Sequence, residues 1–554
     1  MRYNKLITSA AAIALMAGQA LAQGEHPQGG SLTVPIITTT FVDDFNPFSS
    51  AKGQTDAIKG IMFEPLFVHN AMTGDINWRL AESFEYSDDL MTWTVTLKDG
   101  LTWSDGEALD ATDVAFSMNF GNEDAALDLS GKWSDGLIKS VTATDALTVV
   151  VEFNRPDATF DWYLEDVHIV PEHVWSSVAV EDRVTFKNTN PVGSGPITEV
   201  LTVRDNQLEI GRNPNYYKAD EGLPYLDSVK FRQYSDNSQI QPALMADEID
   251  WGSNFIADID KTYVEPSPET HGYWYPANDL INIYLNTRQA PFSDIAFRQA
   301  FSMALDRDTI VDIAAYGYPT PERHVTGIGE FHKVHFNDEV NAKYDYLAEY
   351  NPDAATALLD AAGYVDVDGD GFRENPDGSV IDFDIHVVNG WTDWVQTVQM
   401  TTEYLAEIGI KANTRAVDWG VYDGALKDGT YEASINWSAS NGIDPILAYR
   451  DYFHPSREGQ SWHTNHGKAS AEMGVLIDEY GQTSSSERRG EILAALMDYT
   501  GEQMAFVPLF SNPTWYQYNS TRVAGWPTED NPTTRPVFYS GGTKLLVFEG
   551  LYAK

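Results

Sequence analysis

The sequence of 554 residues contains no cysteine. This absence excludes disulfide bonds, catalysis by a thiol and metal sites built from cysteine. It also excludes a lipidated cysteine at the end of a leader peptide. If the chain is exported, we therefore expect it to be free rather than lipid-anchored.

Positive charge is scarce, with 36 Lys and Arg against 82 Asp and Glu and a formal net charge of −46. A surface this acidic repels nucleic acids and anionic lipids, so neither is an expected partner. The acidic residues are spread along the chain rather than gathered in a tail. Because salt screens their mutual repulsion, this distribution indicates a halophilic acidic surface adapted to a salty medium.

No apolar segment is long enough to cross a bilayer, which takes roughly 20 residues. The apolar run Leu6 to Ala17 spans only about a dozen residues and follows the basic residues Arg2 and Lys5. Ala20-Leu21-Ala22 then matches the small-x-small pattern that signal peptidase reads. The sequence therefore predicts a signal peptide over residues 1–22, and its removal takes the net charge to −48.

The common catalytic motifs HExxH, GxSxG and GxxxxGK are also missing from the sequence. His463 and His466 lack the helical context that a zinc-binding pair needs. With 82 acidic residues, accidental pairs of carboxylates are certain, so counting alone leaves a secreted glycosidase-like enzyme open as an alternative. The absences otherwise favour a protein that is not an enzyme.

What is present is a mixture of helix and strand signals along a chain too long for a single core. The alternation in Thr92–Leu97 predicts a half-buried strand, and Asp110 predicts the N-terminal cap of the next helix. Asn351-Pro352 and Gly363 predict the start and end of a later helix, and Thr392 is predicted to cap another. The sequence therefore predicts an α/β protein of two or three domains.

A series of short phrases, each weak alone, recurs in a characteristic order along the chain. They include Phe45-Asn46-Pro47, Leu80-Ala81-Glu82-Ser83, Gly193-Ser194-Gly195-Pro196, Arg212-Asn213-Pro214-Asn215-Tyr216-Tyr217, Pro224-Tyr225-Leu226-Asp227 and Arg298-Gln299-Ala300-Phe301. In this order, and over nearly the whole mature chain, they resemble the dipeptide/oligopeptide-type (family 5) extracellular solute-binding proteins of ABC importers.

This resemblance implies a two-lobed periplasmic-binding-protein clamp with an extra domain inserted in its first lobe. Lobe I would comprise residues 23–69, 193–289 and 509–554, with residues 70–192 as the inserted domain and 290–508 as lobe II. The resemblance also implies a monomer in the periplasm that closes on a small-molecule ligand by a hinge motion. The closed form would deliver that ligand to ABC permease subunits at the inner membrane.

Two departures resemble the branch of the family that takes cello- or chito-oligosaccharides. Peptide-binding members tend to carry an Asp that pairs with the amino terminus of the peptide, whereas Ser440 stands at the matching position here. A hydroxyl cannot supply that charge. The phrases around Trp391 and Trp515 also resemble the sugar branch. The resemblance therefore predicts a β-linked oligosaccharide as the ligand, with an oligopeptide or dipeptide as the alternative.

The predicted ligand-binding residues, all aromatic, polar or charged, are Trp391, Asp393, Asn436, Trp437, Arg450, Trp515 and Tyr516. Trp391 and Trp515 would stack on sugar rings, because an aromatic face packs well on apolar C–H patches. Asp393 and Asn436 would hydrogen-bond to hydroxyl groups. The structural alternatives are core packing for the aromatic residues, strand-end hydrogen bonding for Asn436, helix-dipole stabilisation for Asp393 and an internal ion pair for Arg450.

One metal-binding motif is present. Asp366, Asp368, Asp370 and Gly371 match positions one, three, five and six of an EF-hand calcium loop, and Asp377 falls at position twelve. That last position is normally a bidentate Glu, so a simple acidic turn is the alternative. We expect a structural Ca²⁺ at most, and no other cofactor.

Overall fold

The computed structural model describes residues 26–49, 52–70, 72–165, 167–439, 442–458 and 466–554. The predicted signal peptide, Ser440 and His463 lie outside these residues. Helices and strands alternate along the described chain, which confirms the α/β prediction. Over the same residues, no helix is both long enough and apolar enough to span a membrane.

The strands are short and lie in several sheets. In chain order they are β1 (Ser31–Ile37), β2 (Phe67–His69), β3 (Ile76–Trp78), β4 (Ala81–Tyr86), β5 (Thr92–Leu97), β6 (Ile138–Ala143), β7 (Thr148–Phe153), β8 (Ile197–Arg204), β9 (Gln207–Arg212), β10 (Ser228–Tyr234), β11 (Trp251–Gly252), β12 (His271–Tyr273), β13 (Ala277–Leu285), β14 (Thr320–Pro321), β15 (Phe383–Val388), β16 (Ala412–Val417), β17 (Ala433–Trp437), β18 (Phe506–Pro513), β19 (Gln517–Asn519), β20 (Val523–Ala524) and β21 (Tyr552–Ala553).

The α-helices lie mostly in the second half of the chain. They are α1 (Lys52–Ile58), α2 (Ala111–Met118), α3 (Phe120–Glu123), α4 (Glu172–Trp175), α5 (Asn237–Met245), α6 (Ile295–Met303), α7 (Arg307–Ala314), α8 (Asp338–Tyr344), α9 (Pro352–Ala362), α10 (Thr392–Glu407), α11 (Trp419–Lys427), α12 (Ile446–Phe453), α13 (Ala471–Gln482), α14 (Ser486–Gln503) and α15 (Gly541–Gly550).

The first lobe is assembled from segments that are distant in sequence. Its four-stranded sheet has the order β1-β10-β9-β8, with β1 parallel to β10 and the other pairs antiparallel. Leu32 and Val34 of β1 share one apolar core with Phe231 of β10 and with Leu545 of the C-terminal helix α15. Both ends of the described chain therefore contribute to the same lobe.

A second antiparallel sheet, β4-β5-β7-β6, has its own core. Trp93, Val95 and Leu97 of β5 are fully buried, as the alternation in that segment predicts. The carboxylate of Asp110 accepts a hydrogen bond from the Thr112 N–H at 2.7 Å, which confirms the predicted helix cap. We call the part of the molecule that contains this sheet the inserted domain, and its boundaries at residues 70 and 192 stay predictions.

The second lobe is built on a six-stranded sheet of order β14-β18-β13-β17-β15-β16. Strand β13 and the end of β18 belong to this sheet, although the predicted bounds of lobe I, 193–289 and 509–554, had included them. One face packs against helices α6, α7, α9 and α10, and the opposite face packs against α11 to α14. Helix α9 begins after the Asn351 cap and ends at Gly363, whose φ of +89° is the left-handed value that glycine adopts readily. Both of these ends were predicted from the sequence.

The predicted cap of α10 is wrong by one position. Thr392 is the first residue of the helix, and Trp391 precedes it without a side-chain cap. Asp393 is the acidic residue of the first turn of this helix. It lies near the first N–H groups of the helix, which have no partner within it.

Candidate functional site

Two segments of the chain run next to each other from the sheet of β11, β19 and β12 to the six-stranded sheet. One joins β12 to β13, and the other joins β18 to β19. The Thr514 N–H donates to the Pro276 carbonyl at 2.7 Å, and the Trp274 N–H donates to the Tyr516 carbonyl at 3.2 Å. The chain enters the second lobe along one connection and returns along the other. Hinge bending is therefore expected here, and the space between the lobes is the candidate ligand cleft.

Trp515 lies in a cluster of aromatic rings at this crossing. Its half-buried indole has the ring of Phe255 at 5.4 Å and that of Tyr275 at 5.0 Å. Tyr318 of the second lobe lies 6.2 Å away, and its hydroxyl accepts a hydrogen bond from the Ile259 N–H of the first lobe at 2.9 Å. Trp515 thus lies where rings from both lobes meet.

Tyr516, the next residue, lies in the core of the first lobe. Its side chain is fully buried, and its hydroxyl donates to the Pro527 carbonyl at 3.1 Å. Burial raises the pKa of this phenol well above its ordinary value. The side chain packs near Trp251 and Trp526. Core packing accounts for Tyr516, and we do not include it among the residues of the cleft.

A compact group of tryptophans lies at one edge of the second lobe. The indole rings of this tryptophan cluster belong to Trp391, Trp394, Trp419 and Trp437. The Trp391 ring lies 5.1 Å from that of Trp394 and 5.7 Å from that of Trp419. Trp394 is buried, whereas the other three side chains are half-buried and retain accessible surface. The fold thus brings together Trp391 and Trp437, which lie far apart in sequence.

The tryptophan cluster borders the first lobe. Gly390, which precedes Trp391, has a φ of +90° and lies directly against Asp236 at the start of α5. A Cβ added to Gly390 would lie 2.7 Å from the Cβ of Asp236, so any larger residue would clash. The loop that carries Trp391 is therefore in contact with the first lobe.

Asp393 lies beside this cluster in the first turn of α10. Its side chain is buried, and burial raises the pKa of its carboxyl to about 7, although hydrogen bonds from the N–H groups of Trp394 and Asp393 oppose that rise. Near neutral pH a substantial fraction of Asp393 is therefore protonated. A protonated carboxyl donates as well as accepts hydrogen bonds, whereas a carboxylate only accepts them.

Asn436 lies on the buried surface of β17, opposite Asn282 of β13. The Asn436 Oδ1 accepts from the Trp437 N–H at 2.9 Å. Among the described residues, Asn436 Nδ2 and Asn282 Oδ1 have no hydrogen-bond partner. Two amides with unmet hydrogen-bonding capacity thus lie on adjacent strands. Sequence reasoning missed Asn282, although a polar residue inside the apolar run of β13 was a usable signal.

A small cavity lies beside the start of β13 and the end of β17. It is lined in part by Leu280, Ser438, Phe331 and His332. The Nε2 of His332 lies 2.7 Å from the Gly442 carbonyl, and burial lowers the pKa of the imidazole to about 4. The neutral ring therefore donates its Nε2–H to that carbonyl at physiological pH. Nothing in the sequence around His332 had indicated this position.

Arg450 lies away from the tryptophan cluster, on the side of the second lobe that meets the inserted domain. Its guanidinium donates to the Gly131 carbonyl at 3.0 Å and to the Asp135 carboxylate at 3.1 Å. Of the two roles weighed from the sequence, these contacts support the internal ion pair. The fold does not bring Arg450 together with the other predicted ligand residues.

The acidic loop lies on the surface of the second lobe, away from the cleft. Asp366, Asp368 and Asp370 are exposed, and each offers a carboxylate oxygen within 4.8 Å of the others. Asp377 is not part of that group, and its carboxylate accepts hydrogen bonds from the N–H and hydroxyl of Ser379. The fold therefore brings together three of the four predicted calcium ligands.

Comparison with known proteins identifies the family. A family model described as "Bacterial extracellular solute-binding proteins, family 5 Middle" matches residues 75–460. The chain belongs to family 5 of the bacterial extracellular solute-binding proteins. This family 5 protein is 25% identical over 449 residues to the oligopeptide-binding protein AppA of Bacillus subtilis (strain 168), a match that covers 78% of this chain and 77% of AppA.

Solved structures match this family 5 protein over nearly its whole length. A periplasmic oligopeptide-binding protein of an ABC transporter from Thermotoga maritima, crystallised with mannohexaose bound, has a TM-score of 0.85 and 27% identity, covering 95% of this chain and 98% of that one. AppA from Bacillus subtilis with a nonapeptide has a TM-score of 0.79 and 22% identity, covering 95% and 99%. These matches confirm the two-lobed fold.

Family membership decides the general role. The family 5 protein is an extracellular or periplasmic solute-binding protein that works with an ABC importer, and it is not an enzyme. This excludes the glycosidase-like alternative. The ligand is a small solute, and its chemical class is a separate question.

Proposed function

We propose that this family 5 protein captures a short oligosaccharide in the cleft between its lobes and presents it to the ABC permease. The observation that carries this proposal is the tryptophan cluster, whose three half-buried indoles lie just before α10, at the start of α11 and at the end of β17. Sugar rings have apolar C–H faces that pack on indole while their hydroxyl groups hydrogen-bond at the edges. The mannohexaose in the Thermotoga maritima structure is consistent with such a ligand.

Polar groups near the tryptophans suit hydroxyl recognition. Asp393 has a carboxyl that both donates and accepts hydrogen bonds when protonated, and its pKa of about 7 permits this form near neutral pH. The Trp515 cluster at the lobe crossing supplies a second aromatic surface. Two aromatic surfaces flanking one cleft match an oligomer that extends over several rings.

An oligopeptide is the second candidate, and the comparisons support it at least as strongly. AppA is named as an oligopeptide-binding protein, and its structure holds a nonapeptide. A peptide carries a charged amino terminus that prefers a carboxylate partner. The segment from Trp437 to Ile443 contains no acidic residue, so a peptide would need such a partner elsewhere.

Calorimetry on the mature protein distinguishes these ligands. The titrants are mannohexaose, cello- and chito-oligosaccharides of two to five sugars, and peptides of two to nine residues. We expect heat of binding from at least one oligosaccharide series and none from the peptides. Peptide binding with no sugar response would contradict the oligosaccharide proposal and support the second candidate. Mass spectrometry of material that co-purifies under native conditions checks the result without choosing titrants.

We also propose that the mature protein begins at Gln23, is free in the periplasm and acts as a monomer in a salty medium. The basic and apolar start of the sequence, the absent cysteine and the net charge of −46 support these statements. N-terminal sequencing of the exported protein tests the cleavage site. Light scattering at low and high salt tests the monomer, and a dimer at both salt concentrations would contradict it.

A further inference from the structure

The inserted domain touches the second lobe directly, at a place remote from the hinge. Two of its segments, the loop 128–136 and the segment 154–163 that follows β7, lie against helices α12 and α13. These contacts join parts of the molecule that the chain connects only by way of the first lobe and the crossing strands. When the lobes separate at the hinge, these contacts separate with them.

Arg450 and Asp135 lie at the centre of this interface. The Arg450 Nη2 donates to Asp135 Oδ2 at 3.1 Å, and these side chains are only 6% and 2% exposed. The guanidinium also lies over the ring of Tyr163, 5.0 Å from its centroid, and donates to the Gly131 carbonyl. The guanidinium is thus paired, hydrogen-bonded and stacked by groups of the inserted domain.

Two further cations, Lys132 and Arg155, lie beside Asp135. The Lys132 Nζ lies 3.5 Å from Asp135 Oδ2 and 3.6 Å above the Tyr163 ring. Arg155 lies 3.5 Å from Asp135 and also bridges to Asp478 of α13 at 3.1 Å. Burial opposes ionisation of Asp135, but the neighbouring Lys132, Arg450 and Arg155 together hold its pKa below the ordinary value. The surrounding cations therefore favour the ionised form of Asp135.

A backbone hydrogen bond completes the contact. The Ala158 N–H donates to the Gly481 carbonyl of α13 at 2.7 Å. Gly481 allows this approach because a Cβ there would lie 2.8 Å from Asp157 Oδ2. The backbones of the inserted domain and the second lobe are therefore in direct contact here. The charged side chains lie beside this contact.

We propose that Arg450 and Asp135 form a latch by which the inserted domain holds the second lobe in the closed form. In the open form both groups are exposed to water, so neither is left unpaired and buried. Removing Asp135 leaves the Arg450 guanidinium buried in the closed form without its anion, beside the cations Lys132 and Arg155. Removing Arg450 leaves Asp135 paired with Lys132 and Arg155, and only the contact between the lobes is lost. The loss therefore acts on the balance between closed and open forms rather than on the fold of either part.

Hydrogen exchange of the Ala158 amide tests the latch without any ligand, because its cross-lobe bond breaks when the cleft opens. The variants are Arg450→Met and Asp135→Asn. The matched control is Arg488→Gln, which removes an exposed pair with Glu479 within the second lobe. The reference amide is that of Leu97, which bonds to the Leu147 carbonyl within the inserted domain at 2.8 Å.

We expect Asp135→Asn to accelerate exchange at Ala158 on the order of a hundredfold, since it leaves a buried guanidinium without its anion. Arg450→Met should accelerate exchange less, because Asp135 keeps Lys132 and Arg155 as partners. The Leu97 amide and the Arg488→Gln control should exchange as in the unmodified protein. Unchanged exchange at Ala158 in both variants would overturn the proposal. Equal acceleration at Ala158 and Leu97 would also overturn it, because the pair would then stabilise the inserted domain itself.

A distance measurement gives an independent check, since the cysteine-free chain can be labelled at two chosen positions. Spin labels at Lys139→Cys and Glu487→Cys, both exposed, report on the separation of the inserted domain from the second lobe. We expect one short distance in the unmodified background and an added longer distance with Arg450→Met. A single unchanged distance would argue against the latch. This outcome is independent of ligand class, so it leaves the oligosaccharide proposal untouched.

Discussion

The indole rings of Trp391 and Trp437 lie 4.9 Å apart at an angle of 60°. Trp391 precedes α10 and Trp437 ends β17, so the contact depends on the packing of that helix against the sheet. The Trp394 ring lies 4.8 Å from that of Trp437 and supports both from the core side. The buried Trp394 ring restricts the positions that the other two rings can take. Trp391 and Trp437 are only half-buried, so both retain surface that a ligand can contact.

Replacing Trp391 with Ala should weaken ligand binding by ~1–3 kcal/mol, as truncation of aromatic anchors does at other interfaces. The stability of the empty protein should change little, because the half-buried ring contributes less to the core. Calorimetry with whichever oligomer binds the unmodified protein measures the first quantity, and thermal unfolding measures the second. Trp391→Phe is the conservative variant and should retain part of the affinity.

Replacing Trp394 with Ala is the matched control from the same cluster. Because Trp394 is buried, its loss should lower the free energy of unfolding by ~3–5 kcal/mol. If Trp391→Ala destabilises the protein as strongly while its folded fraction binds normally, Trp391 is a core residue. The same pair of measurements on Trp515→Ala tests the predicted stacking role at the lobe crossing.

Asp393 should make the protein less stable at higher pH. Its folded-state pKa of about 7 lies above the ordinary value of 3.8, so between these values the unfolded chain loses a proton that the folded chain keeps. Stability therefore falls as the pH rises from about 4 to 7 and then levels off. Asp393→Asn should remove this fall and raise stability at pH 8 by about 2–4 kcal/mol. Chemical denaturation of both proteins at pH 4 and pH 8 measures this difference in stability. An equal effect of the substitution at both pH values would contradict the raised pKa of Asp393.

Glu549 should anchor the C-terminal helix α15 to the rest of the first lobe. It accepts two hydrogen bonds from Arg79 at 2.6 and 2.7 Å, and Arg79 also pairs with the buried Glu64. Glu549→Gln should lower the free energy of unfolding by ~3 kcal/mol at pH 7, because it weakens a buried charge network. Arg232→Gln, which breaks the exposed pair with Glu248, should change it by less than ~1 kcal/mol.

The pH dependence of Glu549 provides a second test. Burial opposes its ionisation, yet Arg79 and Lys218 lower its pKa to about 2. The stabilisation is therefore present above the ordinary pKa of 4.5 and is lost as the pH falls through about 2. The difference between Glu549→Gln and the unmodified protein should shrink over that range. A difference that stays constant down to pH 2 would mean that the ion pair is not its source.

The calcium site stays a prediction from the sequence, and the geometry of its loop sharpens the test. If the loop holds Ca²⁺, the ion should raise the melting temperature by mass action on the folded state. Asp368→Ala should abolish that rise, whereas Asp377→Ala should leave it intact because Asp377 lies outside the group of three carboxylates. Calorimetric melting with calcium and with chelator, at constant ionic strength, measures the response. Identical melting in both buffers would contradict the site.

Local features of the fold were predictable from the sequence. The buried face of β5 follows from alternation, and the caps of α2 and α9 follow from Asp110, Asn351 and Gly363. These predictions succeed because strand alternation and helix ends depend on neighbouring residues. The start of α10 was missed by one residue, because the structure places Trp391, which makes no side-chain cap, at the position predicted for Thr392.

The candidate site was only partly predictable. Trp391, Asp393, Trp437 and Trp515 were named from sequence phrases, and the fold brings the first three together at one edge of the cleft. Asn282 and His332 were missed because their importance comes from burial, which no local pattern specified for them. A polar residue becomes a candidate only when the surrounding chain removes it from water.

The sequence by itself determined the compartment signals, the acidic surface, the α/β class and the family resemblance, because each depends on composition, on local spacing or on the order of phrases. Only the tertiary structure decided between neighbours such as Trp515 and Tyr516, one at the lobe crossing and the other in the core. It also paired Arg450 with Asp135 across 315 positions of the chain. The physical reason is that burial and charge pairing are set by which segments pack together in three dimensions, and separation along the chain does not specify that packing.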